Sequence, residues 1–146
     1  MTLVADILKT KPDRSVHTIA PDASVYEALQ TMADKNIGAL LVVDAEGRVV
    51  GILSERDYAR KIVLMDRMSK NTPVRDIMSS RVMYVHPHQS SNECMALMTE
   101  NRLRHLPVMD DGKLVGLVSI GDLVKDIISE QQFIIEQLEH YISGDR

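Results

Sequence analysis

The chain repeats itself, and an internal repeat limits the available folds more than any other feature of this sequence. Val16 to Leu29 lines up with Val82 to Met95. Pro21 falls on Pro87, Ser24 on Ser90 and Glu27 on Glu93, each pair 66 positions apart. One residue fewer in the second turn shortens the offset to 65, and Gly51-Ile-Leu-Ser54-Glu-Arg-Asp57 then falls on Gly116-Leu-Val-Ser119-Ile-Gly-Asp122. The lead-ins echo as well: Val4-Ala-Asp6-Ile7-Leu8 matches Val74-Arg-Asp76-Ile77-Met78. Matched residues in matched order make the chain a tandem duplication.

Both copies give the same local reading. Val16 to Ile19 forms a short strand that Pro21 ends, because proline donates nothing to a sheet ladder. Ser24-x-x-Glu27 and Ser90-x-x-Glu93 are capping boxes, which open helices carrying Val25, Ala28, Leu29 and Met32 in one copy and Met95 and Met98 in the other. A strand follows at Ala39 to Val43 or Leu106 to Met109. A turn at Asp44 to Gly47 or Asp110 to Gly112 then leads to a strand at Val49 to Leu53 or Leu114 to Val118. A second helix begins near Ser54 or Ser119. The unit is β-α-β-β-α, an α/β (α+β) design with a hairpin between its last two strands. A unit of about 55–60 residues is marginal alone, so the two are expected to pack their sheets together with pseudo-twofold symmetry.

Composition narrows the function classes. The chain has 146 residues, 45% hydrophobic and 26% charged, which argues against disorder. The net charge is −4 with Lys and Arg scattered, and there are five aromatic residues (four Tyr, one Phe), a poor match to nucleic-acid binding. The longest apolar run, Gly38 to Val43, falls far below the roughly 18–20 residues of a spanning helix. Residues 1–10 lack the pattern of a signal peptide, so a cytoplasmic location without membrane insertion is expected. Cys94 is the single cysteine, which excludes an internal disulfide. It lies in a helical apolar pattern that suits a buried thiol better than a nucleophile.

Two β-α-β-β-α units that each end in Gly-h-h-Ser-x-x-Asp, with His105-Leu-Pro107-Val-Met-Asp110 before the second hairpin, resemble a cystathionine-β-synthase (CBS) domain pair, or Bateman module. The resemblance spans about residues 2 to 128 and looks like a stand-alone pair. The expected partition is 2–70 for the first motif with its lead-in, 71–128 for the second, and 129–146 for a C-terminal helical extension. Such modules typically bind adenosine-containing ligands in clefts between their two motifs. The resemblance therefore implies a regulatory protein that senses AMP, ADP or ATP, or NAD(H), as bound ligand rather than catalytic cofactor.

The residues support a nucleotide site on physical grounds, with a plainer alternative beside it. Gly51 and Gly116 let a ligand or a second backbone approach closely. Ser54 and Ser119 stand where a strand becomes a helix, where free amides favour anions. Asp57 and Asp122 can each accept two hydrogen bonds from ribose hydroxyls, the role this acidic residue has in the CBS family. Ser-x-x-Asp is also nearly a capping box, which explains either copy without a ligand. By the family pattern, Arg102, Arg104 and His105 face a phosphate, with Arg56 and Lys35 as first-copy candidates; a solvated role suits any one of these basic residues equally well. Thr18, Ile19 and Ala20, and Tyr84 and Val85, would line adenine pockets mainly through backbone and apolar contacts, with Ala39 and Pro107 completing the ligand-binding set. The copies differ where Tyr84 replaces Thr18 and where Arg104-His105 replaces Gly38-Ala39. That difference allows a mononucleotide at one site and a dinucleotide at the other.

Other signals are weaker. His86-Pro-His88 has no further spaced ligands for a metal, and no nucleophile–base pair or phosphate-binding Gly-Lys-Ser loop is present, so no enzymatic activity is expected. From Asp122 to Ile142 an apolar stripe runs along a helix about 30 Å long, with Gly144 as its stop. Its second half has no mate in the first copy. It either docks on its own chain or packs against a second subunit, and the latter suits the disk-like homodimers common among CBS pairs. A rival reading makes the repeats a ligand-free structural module that dimerises and docks a partner. The sequence names neither the cognate nucleotide nor the downstream protein.

Overall fold

Pro21 and Pro87 leave the first strand of each copy little room: in the computed structural model, which describes residues 2–11 and 15–143, the strand expected over Val16 to Ile19 is confined to Thr18–Ile19. In chain order the elements are α1 (Val4–Thr10), β1 (Thr18–Ile19), α2 (Val25–Lys35), β2 (Ala39–Val43), β3 (Val49–Ser54) and α3 (Glu55–Tyr58). A π-helical turn (Ala59–Val63) and a 3-10 turn (Val74–Asp76) follow, then α4 (Ser91–Asn101), β4 (His105–Asp110), β5 (Lys113–Ser119) and α5 (Ile120–Ser143). In the second copy the first strand is reduced to a single parallel bridge between Val85 and Val108.

The packing units do not follow the repeat boundary in the chain. Ser15–Met83 make one unit, and Tyr84 onward together with the N-terminal segment makes the other. The lead-in α1 thus belongs with the second copy, and the Val74–Asp76 turn belongs with the first. The sequence partition at residues 70 and 71 marks the duplication; in space each copy is completed by the other copy's lead-in.

In the first unit the sheet order is β1-β2-β3. Thr18 and Ile19 pair in parallel with Leu41 and Val42, and β2 runs antiparallel to β3 from Ala39↔Ser54 to Val43↔Val49. In the second unit β4 and β5 pair from His105↔Ser119 to Asp110↔Lys113. Both hairpins carry a register shift at matching places, Val42/Val43 and Val108/Met109, and turn through a glycine with positive φ, 82° at Gly47 and 78° at Gly112. The core of the first unit gathers Val25, Ala28 and Met32 from α2, Leu40, Val42 and Leu53 from the strands, and Ile62, Val74 and Ile77. Val4, Ile7, Val85, Cys94, Met98, Leu106, Val108, Val118 and Leu123 are buried in the second.

Helix starts follow the local chemistry. Ser24 Oγ accepts from the Glu27 amide at 3.1 Å, and at α4 both halves of the capping box are present, Glu93 N to Ser90 Oγ at 3.1 Å and Ser90 N to Glu93 Oε1 at 3.4 Å. α2 ends on Asn36 and α4 on Arg102, both with φ of 55°. The copies diverge after the hairpin: the first breaks into a four-residue α3 and a π turn, whereas α5 runs unbroken for 24 residues. α5 starts at Ile120, as expected from the Ser119 junction, and Gly144 lies outside the described residues. No helix among the described residues is long and apolar enough to cross a membrane.

Gly51 and Gly116 explain the exchange of lead-ins. Ser79 bridges Ile52 with reciprocal backbone hydrogen bonds of 2.9 Å. A Cβ on Gly51 would lie 2.5 Å from Met78 Sδ and 3.0 Å from the Ser79 carbonyl oxygen. On Gly116 it would lie 2.8 and 2.9 Å from the methyl carbons of Leu8. The close approach expected at these glycines is made by the chain's own lead-ins. Gly51→Ala is expected to cost about 1–3 kcal/mol through overpacking. Gly116→Ala should cost less, because only the end of a flexible Leu8 must give way. Urea denaturation midpoints of the two variants check the ranking.

Candidate functional site

The two strand-to-helix junctions are built alike. The amide of the first helical residue donates to the start of the preceding strand pair, Glu55 N to Gly38 O at 3.1 Å and Ile120 N to Arg104 O at 2.9 Å. The serine hydroxyl caps the helix by accepting from the aspartate amide, Asp57 N to Ser54 Oγ at 3.3 Å and Asp122 N to Ser119 Oγ at 3.1 Å. The carboxylate reaches back to the serine amide, Ser54 N to Asp57 Oδ2 at 3.0 Å and Ser119 N to Asp122 Oδ2 at 2.8 Å. Ser54 Oγ also donates to Asp57 Oδ2 at 3.1 Å. The capping reading is therefore correct in both copies. It uses one oxygen of each carboxylate, Oδ2, and leaves Oδ1 outside the cap.

Each aspartate has a lysine that sequence reasoning missed. Lys11 Nζ lies 3.0 Å from Asp122 Oδ2 and donates to Leu117 O at 2.8 Å. Lys61 Nζ lies 3.9 Å from Asp57 Oδ1 and donates to Ile77 O at 3.0 Å. The two lysines sit at unrelated places in the repeat. Lys61, one turn after Asp57, carried an i, i+4 signal. Lys11 is 106 residues from Leu117 and carried none.

The remaining expected residues divide by accessibility. In the first unit Thr18, Ala20, Lys35, Gly38 and Arg56 are exposed, Ile19 is half-buried and Ala39 is buried. A Cβ on Gly38 would meet nothing within 4 Å, so the space beside the Ser54 junction is open. In the second unit Arg102 and Arg104 are exposed and His105 is half-buried, while Pro107 is buried. Tyr84 is 56% exposed, its ring edge-on to His86 with centroids 5.7 Å apart. Val85 is fully buried, and both its backbone groups are taken by β4, Val85 N to Pro107 O at 3.0 Å and Met109 N to Val85 O at 2.9 Å. Val85 and Pro107 thus serve the second unit's core and ladder. His86 Nδ1 lies 3.1 Å from Met109 O. Among the described residues no group of three or more His, Cys, Asp or Glu side chains is placed to hold a metal.

Electrostatics separate His105 from its arginine neighbour. Burial lowers the His105 pKa, with Asp122 opposing and Lys11 and Arg104 reinforcing the shift. His105 is therefore a neutral imidazole near pH 7, able to make a hydrogen bond, and the cationic role expected of the Arg104-His105 pair falls to Arg104. Burial alone would raise Asp122, but the Ser119 amide and the hydrogen bond and charge of Lys11 hold it below the usual carboxylate range. Burial, with Glu93 nearby, pushes the Cys94 thiol up, the wrong direction for a nucleophile.

Both shifts make acid destabilising. Below about pH 6.5 the unfolded chain protonates at the histidine before the folded chain does, and below about pH 4 the same holds for Asp122. His105→Gln should flatten the upper part of the acid limb and Asp122→Asn the lower part, measured as urea stability from pH 7 to pH 3. Asp57→Ala and Asp122→Ala should each cost about 1 kcal/mol as lost caps, with the Asn variants costing less because an amide oxygen still accepts from the serine amide.

Comparison with known proteins assigns the family. The CBS domain family model matches residues 4–64 and 74–129. A mitochondrial CBS domain-containing protein of Arabidopsis thaliana, CBSX3, is 39% identical over 150 residues, covering 98% of this chain and 73% of its own. The CBS domain-containing protein YhcV of Bacillus subtilis is 33% identical over 131 residues, covering 90% of this chain and 89% of its own. A solved structure from Burkholderia ambifaria, described as a putative signal-transduction protein with CBS domains, is 59% identical with a TM-score of 0.85, covering 89% of this chain and 96% of that one. With two matched segments, each holding one Ser-x-x-Asp junction, the chain belongs to the CBS domain family and carries a CBS domain pair.

Proposed function

We propose that the chain is a non-catalytic regulatory module that binds an adenosine-containing nucleotide at its Ser-x-x-Asp junctions and self-associates. One observation carries this reading: in both units the cap fixes each carboxylate through Oδ2 and leaves Oδ1 outside it. A carboxylate held in this way is already oriented, so it can accept ribose hydroxyls without a further ordering cost. Capping and ligand binding are therefore compatible roles of the same residues.

In this reading Asp57 and Asp122 hold riboses, Ser54 and Ser119 stand beside the phosphates, and Thr18, Ile19, Ala20 and Tyr84 contribute to the adenine surroundings. Arg104 gives the second unit a guanidinium for phosphate oxygens, and His105 adds a neutral hydrogen bond. The first unit has Arg56 and Lys35 as cations and open space at Gly38. AMP, ADP or ATP suits the junction with Arg104, and a larger ligand such as NAD(H) suits the one with Gly38. The module acts in the cytoplasm and passes ligand state to a protein partner, and its exposed tail helix is the surface for self-association.

A second reading draws on a specific observation too. The caps account for Ser and Asp, and the lead-ins account for both glycines, so a ligand-free interaction module needs no further residues. Calorimetric titration with AMP, ADP, ATP, NAD⁺ and NADH distinguishes the two. Saturable binding that weakens about 10- to 100-fold in Asp57→Asn or Asp122→Asn, at near-native stability, supports the nucleotide reading. No heat across the panel, with the purified chain confirmed ligand-free after denaturation, supports the interaction module instead.

A further inference from the structure

Every residue from Ile127 to Ile142 is exposed, including large apolar side chains such as Ile128 at 57% and Leu138 at 55%. Helices hold together in water mainly by packing an apolar face, and a continuous exposed stripe marks a surface that expects a partner. At 3.6 residues per turn, Val124, Gln131 and Leu138 run along the middle of that stripe. Ile127 and Ile134 flank it on one side, with Glu130 and Gln137 beyond them. Ile128 and Ile135 flank it on the other, with Lys125 and Glu139 beyond.

The stripe is its own mirror image about Gln131. Ile128 and Ile134 stand three residues either side of it, Ile127 and Ile135 four, Val124 and Leu138 seven, and Ile120 and Ile142 eleven. A closed twofold pair places the same patch against itself, and an antiparallel helix pair does so about one central residue. We propose that α5 pairs antiparallel with α5 of a second copy of this chain, with the twofold axis at Gln131. Val124 then meets the partner's Leu138, Ile127 the partner's Ile134, and Ile128 the partner's Ile135. The two Gln131 amides, each both donor and acceptor, meet on the axis and fix the register as a single polar layer does in coiled coils.

Charge chooses the direction. In a parallel pair each flank faces the opposite flank of its partner, which sets Ile128 beside the partner's Ile127 and Ile135 beside the partner's Ile134, so apolar contact is made in either direction. In an antiparallel pair each flank faces its own kind. Lys125 comes within two residues of the partner's Glu139 on the same flank. Glu136 and Glu139, together with the negative C-terminal pole of the helix, separate to opposite ends instead of stacking.

The proposal rests on the reading that the chain self-associates and is independent of nucleotide binding. Its test uses Val124→Cys and Leu138→Cys in the full chain, purified alone or co-expressed with different tags, then oxidised and resolved without reducing agent. In the antiparallel pair Val124 lies about 21 Å along the axis from its own copy, against the roughly 7 Å limit for a disulfide. The co-expressed pair should therefore form the mixed cross-link while each variant alone forms almost none. Efficient cross-linking of Val124→Cys to itself would overturn the antiparallel arrangement in favour of a parallel one. No cross-link in any sample, with a dimer mass by analytical ultracentrifugation, would overturn the helix pairing and leave self-association through another face. A monomer mass would remove both.

Discussion

A missing side chain on the second hairpin strand governs most of what surrounds each junction. At Gly51 the backbone of Ser79 comes close enough to exchange two hydrogen bonds with Ile52, and Val74 and Ile77 complete the first unit's core. At Gly116 the methyl groups of Leu8 occupy the place where a Cβ would be. The approach does more than fill space. Docking of the 74–79 segment presents Ile77 O, which holds Lys61 beside Asp57. Docking of α1 places Lys11 directly on Asp122. The lead-ins thus set the charge balance at the aspartates as well as the packing.

That balance bears on what the junctions can do. An aspartate at the start of a helix is favoured by the amides it caps, and at Asp122 the lysine against it lowers its pKa further while occupying an acceptor site. At Asp122 the lysine and the serine amide share Oδ2, so the second oxygen keeps its lone pairs for another donor. At Asp57 the lysine stands nearer Oδ1 but at 3.9 Å, beyond hydrogen-bond length. Both junctions therefore keep acceptor capacity on an oriented carboxylate.

Much of this was legible in the sequence because the relevant physics is local. The capping serines, the hairpin turns at Gly47 and Gly112 and the strand hydrophobicity are each decided within a few residues. Two in-register copies turned weak local signals into a strong global one. The exchange of lead-ins was not legible, because Val4 to Leu8 and Val74 to Met78 are alike and nothing local says which copy each completes. The same limit hid Lys11.

The copies keep the junction and change its surroundings, and this contrast separates structural from functional demand. Serine, aspartate, the preceding glycine and the hairpin register recur in both units, as caps and close packing require of any fold built this way. What differs is the residue whose carbonyl accepts from the helix start, Gly38 in one unit and Arg104 in the other. Folding needs only that carbonyl, so the side chain is unconstrained by the cap. A guanidinium there makes the second junction attractive to phosphate, while open space makes the first permissive to bulk. The tail shows the same logic: its inner half serves the second unit's fold, with Leu123 fully buried, and its outer half is free to carry a self-complementary face.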